Sequence, residues 1–419
     1  MSKKRISLYT LLSRTKGVSS NQPLPPTIKR IFALSFMSEF IVIYPFYVIM
    51  FGQRGGISAA GIGMLLAIWM IVSVLAEVPT GVIADKMPKK WSLVFGRIMQ
   101  LATFVVWLFA PNFIGYLTGF IIWGIGEAFL SGAFQAYMYE ALDEDNKKAF
   151  GKIYSRSSAF TMLAYTMGSL LAFIIGPHYS LLLVLSIAVS VVSLWITLSL
   201  PKTHGTTAVE IEAEVKPKVL LSALRSIRDN PLLHRILLGA VLVQGLMGML
   251  GEYMPAYYQQ VGTPTQLVAL FMSISSGAAA LLYWWMHHIE AQLTRYQLPI
   301  IGGFTLLFTL SFMGGAFSAV FGLFLLTRIL RLLSVNNETQ IQHHAPNESR
   351  ATLGSLYSFI GKLLSAALVS LVGFFAVANS IVTPIRWSVI FVVIALMLGG
   401  IYFSLRQKNL RAVPEQRAL

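Results

Sequence analysis

Residues 77–90 read Glu-Val-Pro-Thr-Gly-Val-Ile-Ala-Asp-Lys-Met-Pro-Lys-Lys, and they decide how the rest of the chain is read. A glutamate stands inside an apolar segment. A Gly-x-x-x-Asp-Lys turn and a lysine pair follow, and then another apolar segment begins. A carboxylate in hydrocarbon is expensive, so it tends to mark an ion or substrate pathway. Lysines clustered between two spans mark the cytoplasmic side. The stretch therefore carries both a candidate site and an orientation.

Working outward, the 419 residues are 56% apolar and only 12% charged, with a mean hydropathy of +0.69. Soluble chains carry roughly 25% charged residues, so lipid is the expected solvent. The net charge of +15 would suit a nucleic-acid binder, but its distribution argues against one. Of 32 Lys and Arg residues, 26 fall on the side of the N-terminus, in alternate connections and the span ends beside them or in the C-terminal tail. Only Arg54 and Arg386 fall at the opposite side. That is the positive-inside pattern, and it predicts cytoplasmic termini and no nucleic-acid partner. The sequons at Asn337 and Asn347 then face the cytoplasm and carry no meaning for glycosylation. No cysteine is present, which removes disulfides and thiolate chemistry. No phosphate loop, hydrolytic triad or zinc motif occurs, so neither an enzyme nor a metal or cofactor is expected.

Apolar stretches of about 20 residues mark candidate spans, and twelve can be drawn. The first six are 31–52, 57–84, 91–110, 112–142, 151–176 and 179–200. The second six are 232–261, 264–287, 297–317, 319–341, 351–377 and 383–405. The expected organisation is a cytoplasmic segment 1–30, a bundle 31–200, a linker 201–231, a bundle 232–405 and a tail 406–419. In the linker Leu220, Leu221, Leu224 and Ile227 share a helical face, which predicts a short interfacial helix. The halves repeat weakly. Gly151-Lys-Ile-Tyr154-Ser155 aligns with Gly354-Ser-Leu-Tyr357-Ser358, and Tyr44-Pro45-Phe-Tyr47 with Met254-Pro255-Ala-Tyr257. Parallel six-helix repeats around a central site are a known transporter plan.

With Gly81, Asp85, Lys86, Lys89 and Lys90 in place, the chain resembles the major facilitator superfamily over essentially its whole length. That family's loop signature is Gly-x-x-x-Asp-(Arg/Lys)-x-Gly-(Arg/Lys)-(Arg/Lys), and here Pro88 replaces the second glycine. The resemblance implies an all-α integral membrane protein of twelve helices in two six-helix bundles, working by alternating access. It also implies that Asp85 latches the halves, with Lys86, Lys89, Lys90 and Arg350 as gating partners. Glu77-Val-Pro79-Thr-Gly81 and Gly124-Ile-Gly126-Glu127 resemble segments of bacterial drug exporters. Two features of proton-coupled relatives are missing. Phe120 stands where such members often carry arginine, and span five lacks the Gly-Pro-x-x-Gly-Gly signature of drug antiporters.

The charges within spans are the candidate site. Glu39, Glu77 and Glu127 each need water, a partner or a proton, at a cost of about 2.5–3.5 kcal/mol at the bilayer centre. Glu77, eight residues before Asp85, lies roughly 12 Å inside the cytoplasmic end. Glu252 sits nearer the outer mouth, where a gate or solvated rim is expected. Arg97 is positioned to neutralise a nearby acid. Arg328, Arg331 and Lys362 place positive charge in the second half, either as ion pairs across the interface or as an anchor for substrate. Tyr44, Tyr47, Trp69, Trp123, Tyr253, Tyr257 and Tyr258 could line an aromatic cavity, although packing is the commoner role of any one of them. The adjacent histidines at 287–288 and 343–344 point to different faces and suit solvation better than metal.

The leading reading is proton-coupled efflux of a small amphiphilic compound by a monomer in a bacterial inner membrane. One competitor is a transporter of an organic anion held by Arg328 and Arg331. Another is a membrane sensor or assembly partner that transports nothing.

Overall fold

The computed structural model describes residues 26–85, 87–142, 150–202, 227–228, 230–344, 350–376 and 380–416. Among them are thirteen α-helices. They are α1 (Pro26–Glu39), α2 (Tyr47–Gln53), α3 (Ala59–Asp85), α4 (Lys89–Phe109), α5 (Phe113–Leu130), α6 (Ala133–Glu140), α7 (Phe150–Ile175) and α8 (Tyr179–Ser199). After the linker come α9 (Pro231–Gln260), α10 (Thr265–Leu310), α11 (Ala316–His344), α12 (Arg350–Phe374) and α13 (Val382–Gln416). Nine helical stretches of the described residues are long and apolar enough to cross a membrane. Two shorter apolar helices, Thr265–Ala279 and Pro299–Leu310, and the broken pair α1–α2 stand where the remaining three spans are expected. The fold is an all-α membrane one, consistent with twelve helices in two bundles. The predicted interfacial helix in the linker lies mostly outside the described residues.

Helix α8 shows why lipid is the solvent. Ser186, Ser190, Ser193 and Thr197 recur at helical spacing and are buried, while Val184, Val191, Trp195 and Leu198 on the other face are exposed. A soluble helix would do the reverse. The buried hydroxyls of Ser186, Ser190 and Thr197 bond back to carbonyls one turn earlier at 2.7–2.8 Å. Their polarity is thus satisfied inside the helix, as a bilayer demands. Phe109, Phe374, Trp387 and Phe391 likewise face outward.

The structure departs from the expected spans in two kinds of place. Spans one and four are each broken rather than continuous. Pro45 lacks an amide and disfavours helix at Tyr44, so α1 stops at Glu39 and α2 restarts at Tyr47. The freed amide of Ile43 donates to Ser186 Oγ at 3.1 Å. In span four Ser131 is extended and Gly132 takes φ +72°, a conformation that favours glycine. Conversely, the connection expected between spans eight and nine is helical. A single non-helical residue, Tyr296 (φ −111°, ψ 22°), separates the two parts of α10.

Within the first half α3 and α4 pack on α5, and α7 and α8 on α1; within the second, α9 packs on α11, α12 and α13. The halves meet through α3 with α12, α7 with α10, and α2 with α9. We call the end near the start of α1 and the finish of α13 the terminal side, and the opposite end the distal side. The distal seam is tight. A Cβ on Gly63 of α3 would lie 2.9 Å from the Gly373 Cα of α12 and 3.2 Å from the Val369 carbonyl oxygen. Only paired glycines let two helix backbones approach so closely. Beside them Gln266 donates to the Phe173 carbonyl at 2.8 Å, and Ser273 to that of Thr166 at 2.9 Å.

Candidate functional site

On the terminal side of this seam the helices enclose a cavity of 440 Å³. Two carboxylates line it, Glu39 and Glu127, and both owe their position to the broken helices. Glu39 is the last residue of α1, and Glu127 stands in the last turn of α5. Irregular backbone at membrane depth is tolerated where it lines a cavity, and there it exposes helix ends. The C-terminal end of a helix carries about half a negative charge. Each carboxylate therefore stands at the negative pole of its own helix, a field that disfavours an anion and favours a cation or proton.

One positive side chain, Arg97, lines the same cavity. It donates to Gln100 Oε1 at 2.8 Å, and Gln100 in turn donates to the Tyr44 hydroxyl at 3.4 Å. Glu39 is the acid whose charge acts on Arg97. Trp69 and Ser73 are the polar neighbours of Glu127, and Lys362 is the cation whose charge acts on it. Glu127 Oε2 has no hydrogen-bond partner among the described residues.

A smaller chamber of 190 Å³ shares Glu39, Tyr44, Trp69 and Trp123 with the first cavity and reaches across to Glu252, Pro255 and Met272 of the second half. Its walls are aromatic. Tyr44 lies 5.6 Å from Trp123 and 6.1 Å from Tyr165, and Trp69 stacks on Phe120 at 5.7 Å between centroids. Phe120, the residue in place of arginine, is part of this wall. Tyr47 closes the floor by donating its phenol to the Glu252 carboxylate, a bond between the halves.

The other expected site residues are distributed differently. Glu77 does not line either cavity; it pairs with Lys362 across the halves at 2.5 Å, both side chains partly exposed at 34% and 26%. Arg328 donates to the Ser275 carbonyl at 2.5 Å and lies over the Phe324 ring at 5.7 Å. Neither Arg328 nor Arg331 lines the two chambers. Lys90 is buried and donates to the Leu198 and Leu200 carbonyls at 2.6 and 2.7 Å. It caps the C-terminal end of α8, within the first half. Lys89 donates to the Ala84 carbonyl at 3.2 Å. Lys86 lies outside the described residues, and so do the side chains of Asp85 and Arg350.

Of the aromatic candidates, Tyr44, Tyr47, Trp69 and Trp123 line the chambers, whereas Tyr253, Tyr257 and Tyr258 are buried in packing. Gln100, Ser38 and Tyr165 also line them and carry no signal that sequence reasoning could use. A lone uncharged polar residue on an apolar helix looks the same whether it faces a cavity or a neighbour.

Comparison with known proteins agrees with this architecture. Among solved structures the fold is similar to the nucleoside transporter NupG, with a TM-score of 0.70 and 15% identity over 90% of this chain and 99% of that one. It is also similar to a bacterial homolog of the human lysosomal transporter Spinster in an inward-facing, unoccupied conformation (TM-score 0.68, 15% identity, 90% and 95% covered). A third is a D-xylose–proton symporter (TM-score 0.67, 12% identity, 89% and 95% covered). At these identities the likeness is one of fold. In sequence, the uncharacterized MFS-type transporter YxaM of Bacillus subtilis (strain 168) is 28% identical over 120 residues, a match that spans 29% of the length of each chain. The model of the Major Facilitator Superfamily matches residues 31–370; the chain belongs to that superfamily and is a membrane transporter of it rather than an enzyme.

Proposed function

We propose that the protein exports a small amphiphilic organic cation in exchange for protons, by alternating access. The observation that supports this reading is the lining of the cavity: Glu39 and Glu127 beside Trp69, Trp123 and Tyr44, with Arg97 as the one cationic lining residue among those described. Two carboxylates at the negative ends of helices favour a cation or protons over an anion. The indole and phenol rings suit a cation with an apolar body. Competition between substrate and proton for the same carboxylates is the coupling, and it needs no arginine at position 120.

The linker 201–231 joins two bundles that rock against each other. With the termini cytoplasmic, as the charge pattern predicts, a closed distal seam and a terminal-side cavity correspond to a state that loads from the cytoplasm. Asp85 and Arg350 remain the proposed latch, with Lys86 and Lys89 as proposed gating partners, while Lys90 holds the end of α8. Glu77 and Lys362 act as a pair that opens and closes. The cation reading is preferred to the organic-anion one because neither Arg328 nor Arg331 is among the residues lining the two chambers.

The test uses proteoliposomes loaded with a fluorescent lipophilic cation. An imposed pH gradient is expected to drive its release by the native protein and not by Glu39→Gln or Glu127→Gln. Release that is insensitive to the gradient, or full activity in both variants, would refute proton exchange at these residues. Inhibition by organic anions instead of cations would restore the anion reading.

A further inference from the structure

The second half holds another cavity, separate from the central site. It has a volume of 280 Å³ and lies at the terminal-side ends of α9, α10, α11 and α13. Arg235, four residues after the start of α9, and His344, the last residue of α11, bring basic groups to it. Gln297 and Asn337 bring amides, and among the described residues no acidic side chain lines it. The kink at Tyr296 sets Gln297 against α11, where its Nε2 donates to Asn337 Oδ1 at 3.2 Å.

Asn337 is the informative residue. It is only 3% exposed, lines the cavity, and its Nδ2 has no hydrogen-bond partner among the described residues. A buried amide donor left unpaired is costly, and each such group in a native structure asks for an explanation. Among the described residues Arg235 makes no ion pair. His344 keeps Nδ1 on the Gln340 carbonyl of its own helix. Unused donors around a space without acid are the complement of an anion with several acceptor oxygens. The opposite wall is apolar, formed by Leu238 and Leu396 with Gly239 between the polar and apolar sides.

We propose that this cavity binds a phosphate group, carried either by an anionic phospholipid or by a small soluble phosphate ester. Arg235 supplies the charge, Asn337 Nδ2 supplies a fixed donor, and the leucine wall takes the glycerol or other carbon portion. The site is an intra-bundle one and does not open into the transport chambers, which share none of its lining residues. A ligand there would brace α9 against α11 and α13.

The experiment measures thermal unfolding of the purified full chain in phosphatidylcholine nanodiscs with three additions: none, phosphatidylglycerol in the bilayer, or sn-glycerol 3-phosphate in solution. Stabilisation by phosphatidylglycerol alone assigns the site to lipid, and stabilisation by glycerol phosphate in phosphatidylcholine assigns it to a soluble ester. Arg235→Gln is expected to weaken the effective probe about tenfold, the worth of one charged hydrogen bond. Gly239→Leu tests the cavity without altering charge. An added Cβ there meets only Gln297 Nε2 at 3.8 Å, so the longer side chain can enter the cavity and exclude the probe. No stabilisation by either probe would overturn the proposal. So would stabilisation that survives Gly239→Leu, because it would report surface charge rather than this cavity.

Discussion

The two ends of the seam between the halves are built on different principles. At the distal end α3 and α12 touch backbone to backbone at Gly63 and Gly373, and the contact is one of shape. Towards the terminal side the same two helices are joined by the Glu77–Lys362 pair. From Gly63 to Glu77 is 14 residues, or roughly 21 Å along the helix. Between these two levels the Tyr47–Glu252 hydrogen bond crosses from one half to the other. A close-packed contact is either made or lost, whereas a partly solvated pair exchanges for water at little net cost. The distal end is therefore expected to set which conformation is held, and the polar end to tune how readily it is left.

The largest expected effect falls on the carboxylates that the polar end surrounds. Glu127→Gln, like Glu39→Gln, should abolish gradient-driven release in proteoliposomes while the protein still folds, since an amide fills the same space. Retained coupling would break the link between the polar end and transport.

Next in size is the distal contact. Gly63→Leu forces side-chain atoms into the Gly373 backbone, an overpacking worth about 1–3 kcal/mol against this conformation. Because the chain has no cysteine, Ser58→Cys and Phe375→Cys can carry spin labels on the two sides of the seam. The distance between them should lengthen in the Gly63→Leu background, with the population shifting about tenfold or more. An unchanged distance would show that shape does not control this end.

A smaller change should follow at the ion pair. Lys362→Met leaves Glu77 without its cation and should destabilise this state by about 1–3 kcal/mol, between the exposed and buried limits. The double variant with Glu77→Gln should recover most of that loss in thermal unfolding. Failure to recover would mean that the two residues do not act as a pair.

The smallest effect is expected from Tyr47→Phe, which removes one hydrogen bond to Glu252 worth about 1 kcal/mol. Spin-label distances should move slightly towards the open seam, and release should stay coupled.

Several of these residues were legible before the structure and others were not. Glu39, Glu77 and Glu127 stand out in the sequence because charge in hydrocarbon is costly wherever it occurs. Their separate roles do not stand out. Glu77 faces Lys362, 285 residues away in sequence, whereas Glu39 and Glu127 share a cavity because two helices break beside them. Pro45 and Gly132 were visible as residues. That they interrupt spans, rather than end or merely bend them, depends on whether neighbours such as Ser186 can satisfy the freed backbone. Arg328 shows the reverse limit. It was a natural anchor for an anion by sequence, yet it is held by the Ser275 carbonyl and the Phe324 ring. Asn337 was read as an idle sequon and proves to be a buried amide in a cavity wall.

The amino-acid sequence by itself determined the solvent, the superfamily, the twelve apolar segments and the expected orientation. These follow from composition, from charge placement and from a local signature, all of which act through residues close together in the chain. Tertiary structure alone decided which acids meet in a cavity, which are spent in pairs, and where the two halves touch as bare backbone. Such contacts depend on how helices rotate and approach, and in lipid that is set by small residues and satisfied polar groups rather than by hydrophobic pattern. The stretch from Glu77 to Lys90 holds both kinds of information. Its lysines could be placed by charge alone, while its glutamate acquired a partner only when α3 met α12.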